Sequence, residues 1–239
     1  MMATRAPFDG LNQGYDAQRE KLAAYFDGTA RKAWIDLTSD AKVSGIRATV
    51  RAGRERMRSL LVDWLPHDLR RTRVLDAGCG TGALSIDTAR RGAQVTAVDI
   101  AAGLVEIARE RAPSFLGHGR IDWHVGDMLS PALGEFDHVV AMDSLIHYQS
   151  ADIVATLAAL GERCARSMVF TFAPHTPLLG AMHMAGKLFP RGNRSPAIVP
   201  VNAERLRYEL SLLTDWRVTR TERVASGFYT SQAMELVRR

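Results

Sequence analysis

One stretch limits the fold more than any other: Val74-Leu75-Asp76-Ala77-Gly78-Cys79-Gly80-Thr81-Gly82, a short apolar run that reaches three glycines and then opens into the helical pattern from Ala83. A buried strand entering a glycine-rich turn and a helix is the first βα unit of a parallel sheet, with its ligand at the carboxyl end of the strand. The glycines let the backbone adopt turn conformations and approach that ligand closely. With Ala83 the segment also satisfies Gly-x-Gly-x-x-Gly/Ala, so glycine spacing leaves dinucleotides open. Asp76 discriminates. A carboxylate two residues before the first glycine repels a pyrophosphate and suits a ligand bearing an ammonium or sulfonium group.

The rest of the chain has the alternation this start demands. Short apolar runs at Arg73–Ala77, Gln94–Asp99, Ile121–Val125, His138–Met142, Ser167–Thr171, Trp216–Val224 and Phe228–Val237 read as strands, with helices opening near Thr81, Gly103, Ala151 and Ala203. Ala225-Ser226-Gly227 is short enough for a hairpin, so a mostly parallel seven-stranded α/β sheet is expected to end in an antiparallel pair. Residues 1–70 read as helical, with an amphipathic segment from Asp16 to Asp27 and a longer one from Lys42 to Leu65. The 239 residues therefore divide as one domain: a helical lid (1–70), a nucleoside-binding core (73–173), an inserted arm (174–200) and a C-terminal helix with two strands (201–239).

Composition excludes several classes. No apolar run approaches the roughly 20 residues of a bilayer span, and Met1 to Pro7 has no signal-peptide character. The two cysteines, Cys79 and Cys164, make neither a disulfide framework nor a metal-ligand spacing, which points to the cytoplasm and to no protein-bound metal. Charge is segregated: 14 basic against 9 acidic residues in 1–75, 7 against 12 in 76–186, and 10 against 5 in 187–239. An acidic centre between basic flanks can hold a cation inside and receive an anion from outside. Phosphate contacts are compatible with the overall charge of +5, but the basic residues are not interleaved with stacking aromatics, so nucleic acid is not the expected partner.

Two further strand ends complete the first motif. Asp99 closes the second strand 23 positions after Asp76, where a carboxylate accepts ribose hydroxyls; Asp127 and Met128 follow the third, where an adenine amino group and ring face would be met. In series, Arg73 to Thr171 resembles the class I S-adenosylmethionine-dependent methyltransferases, with a Rossmann-like fold. A nicotinamide oxidoreductase is the rival, and it would ordinarily bring a longer substrate domain.

His147 and Tyr148 lie just past the fourth strand, which places His147 near the donor methyl. Tyr25-Phe26, Val50-Arg51-Ala52-Gly53-Arg54, Asp76 to Gly80, Leu145-Ile146-His147-Tyr148, Phe172-Ala173-Pro174, Leu188-Phe189-Pro190 and Phe228-Tyr229 together resemble the magnesium-protoporphyrin IX O-methyltransferases of chlorophyll and bacteriochlorophyll synthesis. The resemblance implies methyl transfer from S-adenosylmethionine to one propionate of magnesium protoporphyrin IX, giving the monomethyl ester and S-adenosylhomocysteine. It implies Tyr25 and His147 as catalytic residues. It sets Arg51, Asp76, Gly78, Gly80, Asp99, Ile100, Asp127, Met128 and Asp143 around the cofactor, and Tyr148, Met182, Leu188, Phe189, Arg191 and Tyr229 around the porphyrin. The magnesium belongs to the substrate. The large porphyrin-binding subunit of magnesium chelatase and the surface of photosynthetic membranes come with the same resemblance as partners. One departure is Arg54, where plant and cyanobacterial members carry His, and it bears on how carboxylates are contacted. The other readings are a methyltransferase with another small-molecule acceptor and a nucleic-acid-binding protein of methyltransferase fold.

Overall fold

Alternating apolar segments with helical spacers produce a sheet of seven strands in the order β3-β2-β1-β4-β5-β7-β6. The computed structural model describes residues 11–28, 38, 45–175 and 198–239. Along the chain these are α1 (Leu11–Asp27), α2 (Gly45–Trp64), β1 (Arg73–Ala77), α3 (Ala83–Arg90), β2 (Gln94–Asp99), α4 (Ala102–Arg111), β3 (Arg120–Val125), β4 (Phe136–Ala141), α5 (Ser150–Gly161), β5 (Cys164–Phe172), α6 (Ala203–Ser211), β6 (Trp216–Ser226) and β7 (Tyr229–Arg238). A turn of 3₁₀ helix, Leu145–His147, follows β4.

β1 pairs in parallel with β2 and β4, β2 with β3, and β4 with β5, while β7 runs antiparallel to both β5 and β6. This is the expected mostly parallel sheet with an antiparallel end. β1 and β2 occupy the residues the pattern assigns; β5 begins three residues earlier, at Cys164, because its opening Cys-Ala-Arg-Ser is too polar to read as buried strand. The β6–β7 turn is Gly227-Phe228 rather than Ala225-Ser226-Gly227, since Ser226 still pairs with Tyr229; Phe228, expected in the strand, is 51% exposed.

Both faces are covered, as a parallel sheet requires. Met57 and Leu61 of α2, Leu84 and Ala89 of α3 and Val105 of α4 pack with Val74, Val95, Ala97, Val140 and Val169 on one face. Ile153 and Leu157 of α5 and Leu206 and Leu210 of α6 pack with Leu75, Val139, Met168 and Phe170 on the other. α2 meets β7 closely because of Gly53, where an added Cβ would stand 2.5 Å from Cδ1 of Tyr229. α1 joins the opposite face, with α5 and α6, through Tyr15 and Leu22.

Strand order reverses between β1 and β4, the switch point where open α/β sheets bind ligands. The feet of the expected arm stand beside it. Pro174 and Val201 form a parallel bridge, Val201 N–H donates to Ala173 O at 2.8 Å, and Val199 N–H donates to Ile146 O at 2.9 Å. The arm's Met182, Leu188, Phe189 and Arg191 lie outside the described residues.

Candidate active site

A cavity of about 490 Å³ opens over the switch point, walled by the turn after β1, the ends of β2 and β4, and α1 and α2. The glycine turn makes it possible. Gly78 sits at φ 90°, and a Cβ there would approach that of Ser144 to 2.4 Å, so a side chain would close the space between the β1 and β4 ends.

Four carboxylates mark the strand ends. Asp76 is buried, and Ser85 Oγ of α3 donates to its Oδ2 at 2.5 Å. Burial raises its pKa to about 7; the Ser85 hydrogen bond opposes that rise and nearby Asp99 adds to it. Asp99 accepts from the N–H of Gly80 at 2.8 Å and that of Ala101 at 2.9 Å, tying the β2 end to the glycine turn. Asp127 accepts from Tyr15 Oη at 2.7 Å, Arg19 Nη1 at 2.6 Å and Leu129 N–H at 2.9 Å. Asp143, at φ 54°, accepts from Arg54 Nη1 at 2.5 Å and from Tyr229 Oη at 3.1 Å, while Ser231 and Thr171 hydroxyls also reach its Oδ1.

α1 therefore closes one side of the cavity through side chains that its sequence did not single out. Tyr15 stacks on Tyr148 with ring centroids 5.5 Å apart, and Gln18 Nε2 donates to His147 O at 3.2 Å. Burial, reinforced by the Asp127 charge, raises the pKa of the Tyr15 hydroxyl, which stays protonated as a donor. The spacing Tyr15, Arg19, Leu22, Phe26 was the available signal: it lays one helix face along the cavity. Opposite, α2 presents Arg51, Arg54 and Arg58 at i, i+3 and i+7. Arg58 pairs with Asp87 of α3 at 2.8 Å.

Of the residues singled out from sequence, Arg51, Asp76, Gly78, Gly80, Asp99, Ile100, Met128, Asp143, His147 and Tyr148 line the cavity. Tyr25, Asp127 and Tyr229 do not. Tyr229 turns its hydroxyl to Asp143, and Asp127 faces Tyr15 and Arg19. The Tyr25 ring meets Phe26 edge-on at 5.3 Å, and Phe26 in turn lies 6.1 Å from the buried His147 ring, so Phe26 touches both members of the expected catalytic pair. Ser144, also on the wall, was not foreseen.

Comparison with known proteins decides the family. Residues 141–238 match the model described as magnesium-protoporphyrin IX methyltransferase C-terminus, and residues 74–166 match a methyltransferase domain. Over 224 residues, 92% of this chain and 97% of the relative, the sequence is 49% identical to the magnesium-protoporphyrin O-methyltransferase of Rhodobacter capsulatus. The chain belongs to the magnesium-protoporphyrin O-methyltransferases. As a member it is an S-adenosylmethionine-dependent O-methyltransferase of (bacterio)chlorophyll synthesis. The Synechocystis magnesium-protoporphyrin O-methyltransferase is 30% identical over 218 residues, 90% of this chain and 94% of that one. A crystal structure of the Synechocystis PCC 6803 magnesium protoporphyrin IX methyltransferase with bound SAH superposes with a TM-score of 0.81, 28% identity, and coverage of 92% of this chain and 100% of that one.

The cavity suits such a donor. Carboxylates at three strand ends, Asp76, Asp99 and Asp143, offer acceptors for an ammonium, a ribose and a sulfonium charge, a glycine cradle admits the ligand to the backbone, and α2 supplies guanidinium groups for a carboxylate.

Proposed function

We propose that His147 and Tyr25 aim one propionate carboxylate of magnesium protoporphyrin IX at the donor methyl, and that the residues assigned from sequence hold the two ligands as assigned there. The observation that carries this reading is the position of His147. It sits on the 3₁₀ turn after β4, on the cavity wall, one residue from the Ile146 carbonyl that pins the second foot of the 176–197 segment. The donor's cavity and the root of the substrate arm therefore meet at one side chain.

When bound, S-adenosylmethionine supplies the methyl group from its sulfonium, whose sulfur leaves as the neutral thioether of S-adenosylhomocysteine. The chain's own residues supply placement. A propionate has a pKa of about 4.3, so it reaches the site ionised and needs no strong base. His147 and Tyr25 donate hydrogen bonds that fix the direction of the carboxylate, and orientation of this kind lowers a barrier by several kcal/mol. Carboxylate and sulfonium lose their charges as the ester forms, so Tyr15, Leu22 and Phe26 of α1, by keeping water from the cavity, favour the transition state over separated ions.

The apolar macrocycle is delivered by the large subunit of magnesium chelatase, and the protein works at the surface of photosynthetic membranes. Supporting the second point, Ile46 (57% exposed) and Phe228 (51% exposed) are apolar side chains on the two elements that meet where Thr49 of α2 packs against Gly227. No helix among the described residues is long and apolar enough to cross a membrane.

The test is methyl-labelled S-adenosylmethionine with magnesium protoporphyrin IX, metal-free protoporphyrin in parallel, and mass analysis. A labelled porphyrin monoester that requires magnesium is expected; no porphyrin label would remove the substrate. His147→Gln should lower kcat about 100-fold while SAH affinity stays within about twofold. Near-normal turnover from pH 6 to 8 would overturn the role of His147.

A further inference from the structure

Ser144 carries the one polar side-chain atom on the cavity wall that is buried and has no hydrogen-bond partner among the described residues. It follows the strained Asp143 and holds the N-cap position of the Leu145–His147 turn, where a serine hydroxyl ordinarily accepts from the helix backbone. Here it makes no such bond. Instead the side chain turns toward the glycine loop: a Cβ placed on Gly78 would lie 2.4 Å from Ser144 Cβ and 3.1 Å from its Oγ. A buried hydroxyl without a partner is destabilising in the free protein, and such groups are rare enough to need a reason.

The strand order says which part of a ligand that is. A nucleoside held by Asp127, Met128 and Asp99 lies over β3 and β2; a chain continuing from its 5′ carbon runs across β1 toward β4, where Gly78 and Ser144 face each other. Beside them the Arg54–Asp143 pair adds a cation and an anion. A zwitterion fits that setting.

We infer that the Ser144 hydroxyl hydrogen-bonds the α-amino-acid end of S-adenosylmethionine and of its demethylated product, and is a positioning residue for the reacting sulfonium. The inference rests on the cofactor assignment above and adds a residue to it. Serine is suited to the task because its hydroxyl can donate to a carboxylate or accept from an ammonium, and because it is short enough to pass Gly78. Held at that end, the donor is oriented lengthwise, so the effect falls on ligand affinity and methyl alignment and not on the fold.

Calorimetric titration of Ser144→Ala and the near-isosteric Ser144→Cys with SAH, alongside 5′-methylthioadenosine, which lacks the amino-acid end, tests this. Expected are an SAH Kd raised about tenfold in both variants and an unchanged Kd for methylthioadenosine. The ligand-free Tm of Ser144→Ala should equal or exceed that of the parent while its rise on adding SAH is smaller, a reversal that a purely structural serine would not produce. Unchanged SAH affinity would overturn the inference, as would an equal loss for both ligands or an effect confined to the KM for the porphyrin. If the parent itself bound no SAH, the cofactor assignment would fall and this inference with it.

Discussion

The four strand-end carboxylates fall into two kinds. Asp76 and Asp99 are bound by nearby chain: Ser85 lies nine residues from Asp76, and Gly80 and Ala101 flank Asp99 on the turns at the β1 and β2 ends. Asp127 and Asp143 are bound by helices far away in sequence, Tyr15 being 112 residues from Asp127 and Arg54 being 89 from Asp143. The first pair builds the floor of the cavity as the sheet forms. The second pair fastens α1 and α2 over it, so the walls depend on tertiary assembly that the floor does not need.

Breaking the floor should have the largest effect. Gly78→Ala places a side chain on a left-handed residue and against Ser144, so we expect a loss of about 2–4 kcal/mol in urea unfolding and no measurable SAH binding. Retained binding would show that the turn yields more easily than its geometry states. Breaking a wall comes next. Arg54→Ala leaves the Asp143 carboxylate, 3% exposed, without its cation; hydroxyls from Tyr229, Ser231 and Thr171 remain, so about 2–3 kcal/mol is expected. A loss below 0.5 kcal/mol, on the scale of roughly 1 kcal/mol for exposed pairs, would make the pair a surface one in effect.

Tyr15→Phe removes one hydrogen bond to a charged group and keeps the stacking on Tyr148, so about 1 kcal/mol is expected, visible as faster amide exchange in α1 and not in β1. Combining it with Asp127→Asn measures the coupling between helix and strand end; simple additivity would show that the two do not act together. The last test is a pH dependence and not a loss on substitution, and it concerns Asp76. Its carboxyl titrates near 3.8 when unfolded and at about 7 when folded, so the folded state holds more protons between those values and stability falls as pH rises from about 4 to about 7. Asp76→Asn should flatten that slope. A cationic ligand favours the ionised carboxyl, so binding at pH 7 should release about half a proton, read from calorimetry in buffers of different ionisation enthalpy.

The same division explains what could be read from the sequence. Val74 to Gly82 declares its strand, turn and acid within nine residues, because the hydrogen bonds that matter are local. Alternation gives the parallel sheet, and the short link before Phe228 gives its antiparallel end, but neither gives the order of the strands, since more than one order satisfies the right-handed crossover. What escaped was partner choice over distance. Asp127 reads as an acceptor at a strand end, and nothing near it names Tyr15 and Arg19. Tyr25 stands out beside Phe26, yet Phe26 is the one that faces the cavity. Arg54 reads as a departure from relatives; its partner Asp143 is invisible until α2 lies across β6 and β7. Ser144 looks like a cap and is recognisable as something else only because no backbone N–H comes to it.

The bridge between Pro174 and Val201 also bears on how such an enzyme changes its acceptor. A segment that leaves and re-enters the fold at adjacent points is a closed loop, and closing a longer or shorter one changes the entropy only slowly, by about 0.6 kcal/mol for each doubling. The length between these feet can thus change at small entropic cost while the donor cavity keeps its floor. On the reading proposed above, in which this segment holds the porphyrin, acceptor preference and methyl donation are separable heritable units, and a graft at these two feet tests that separation.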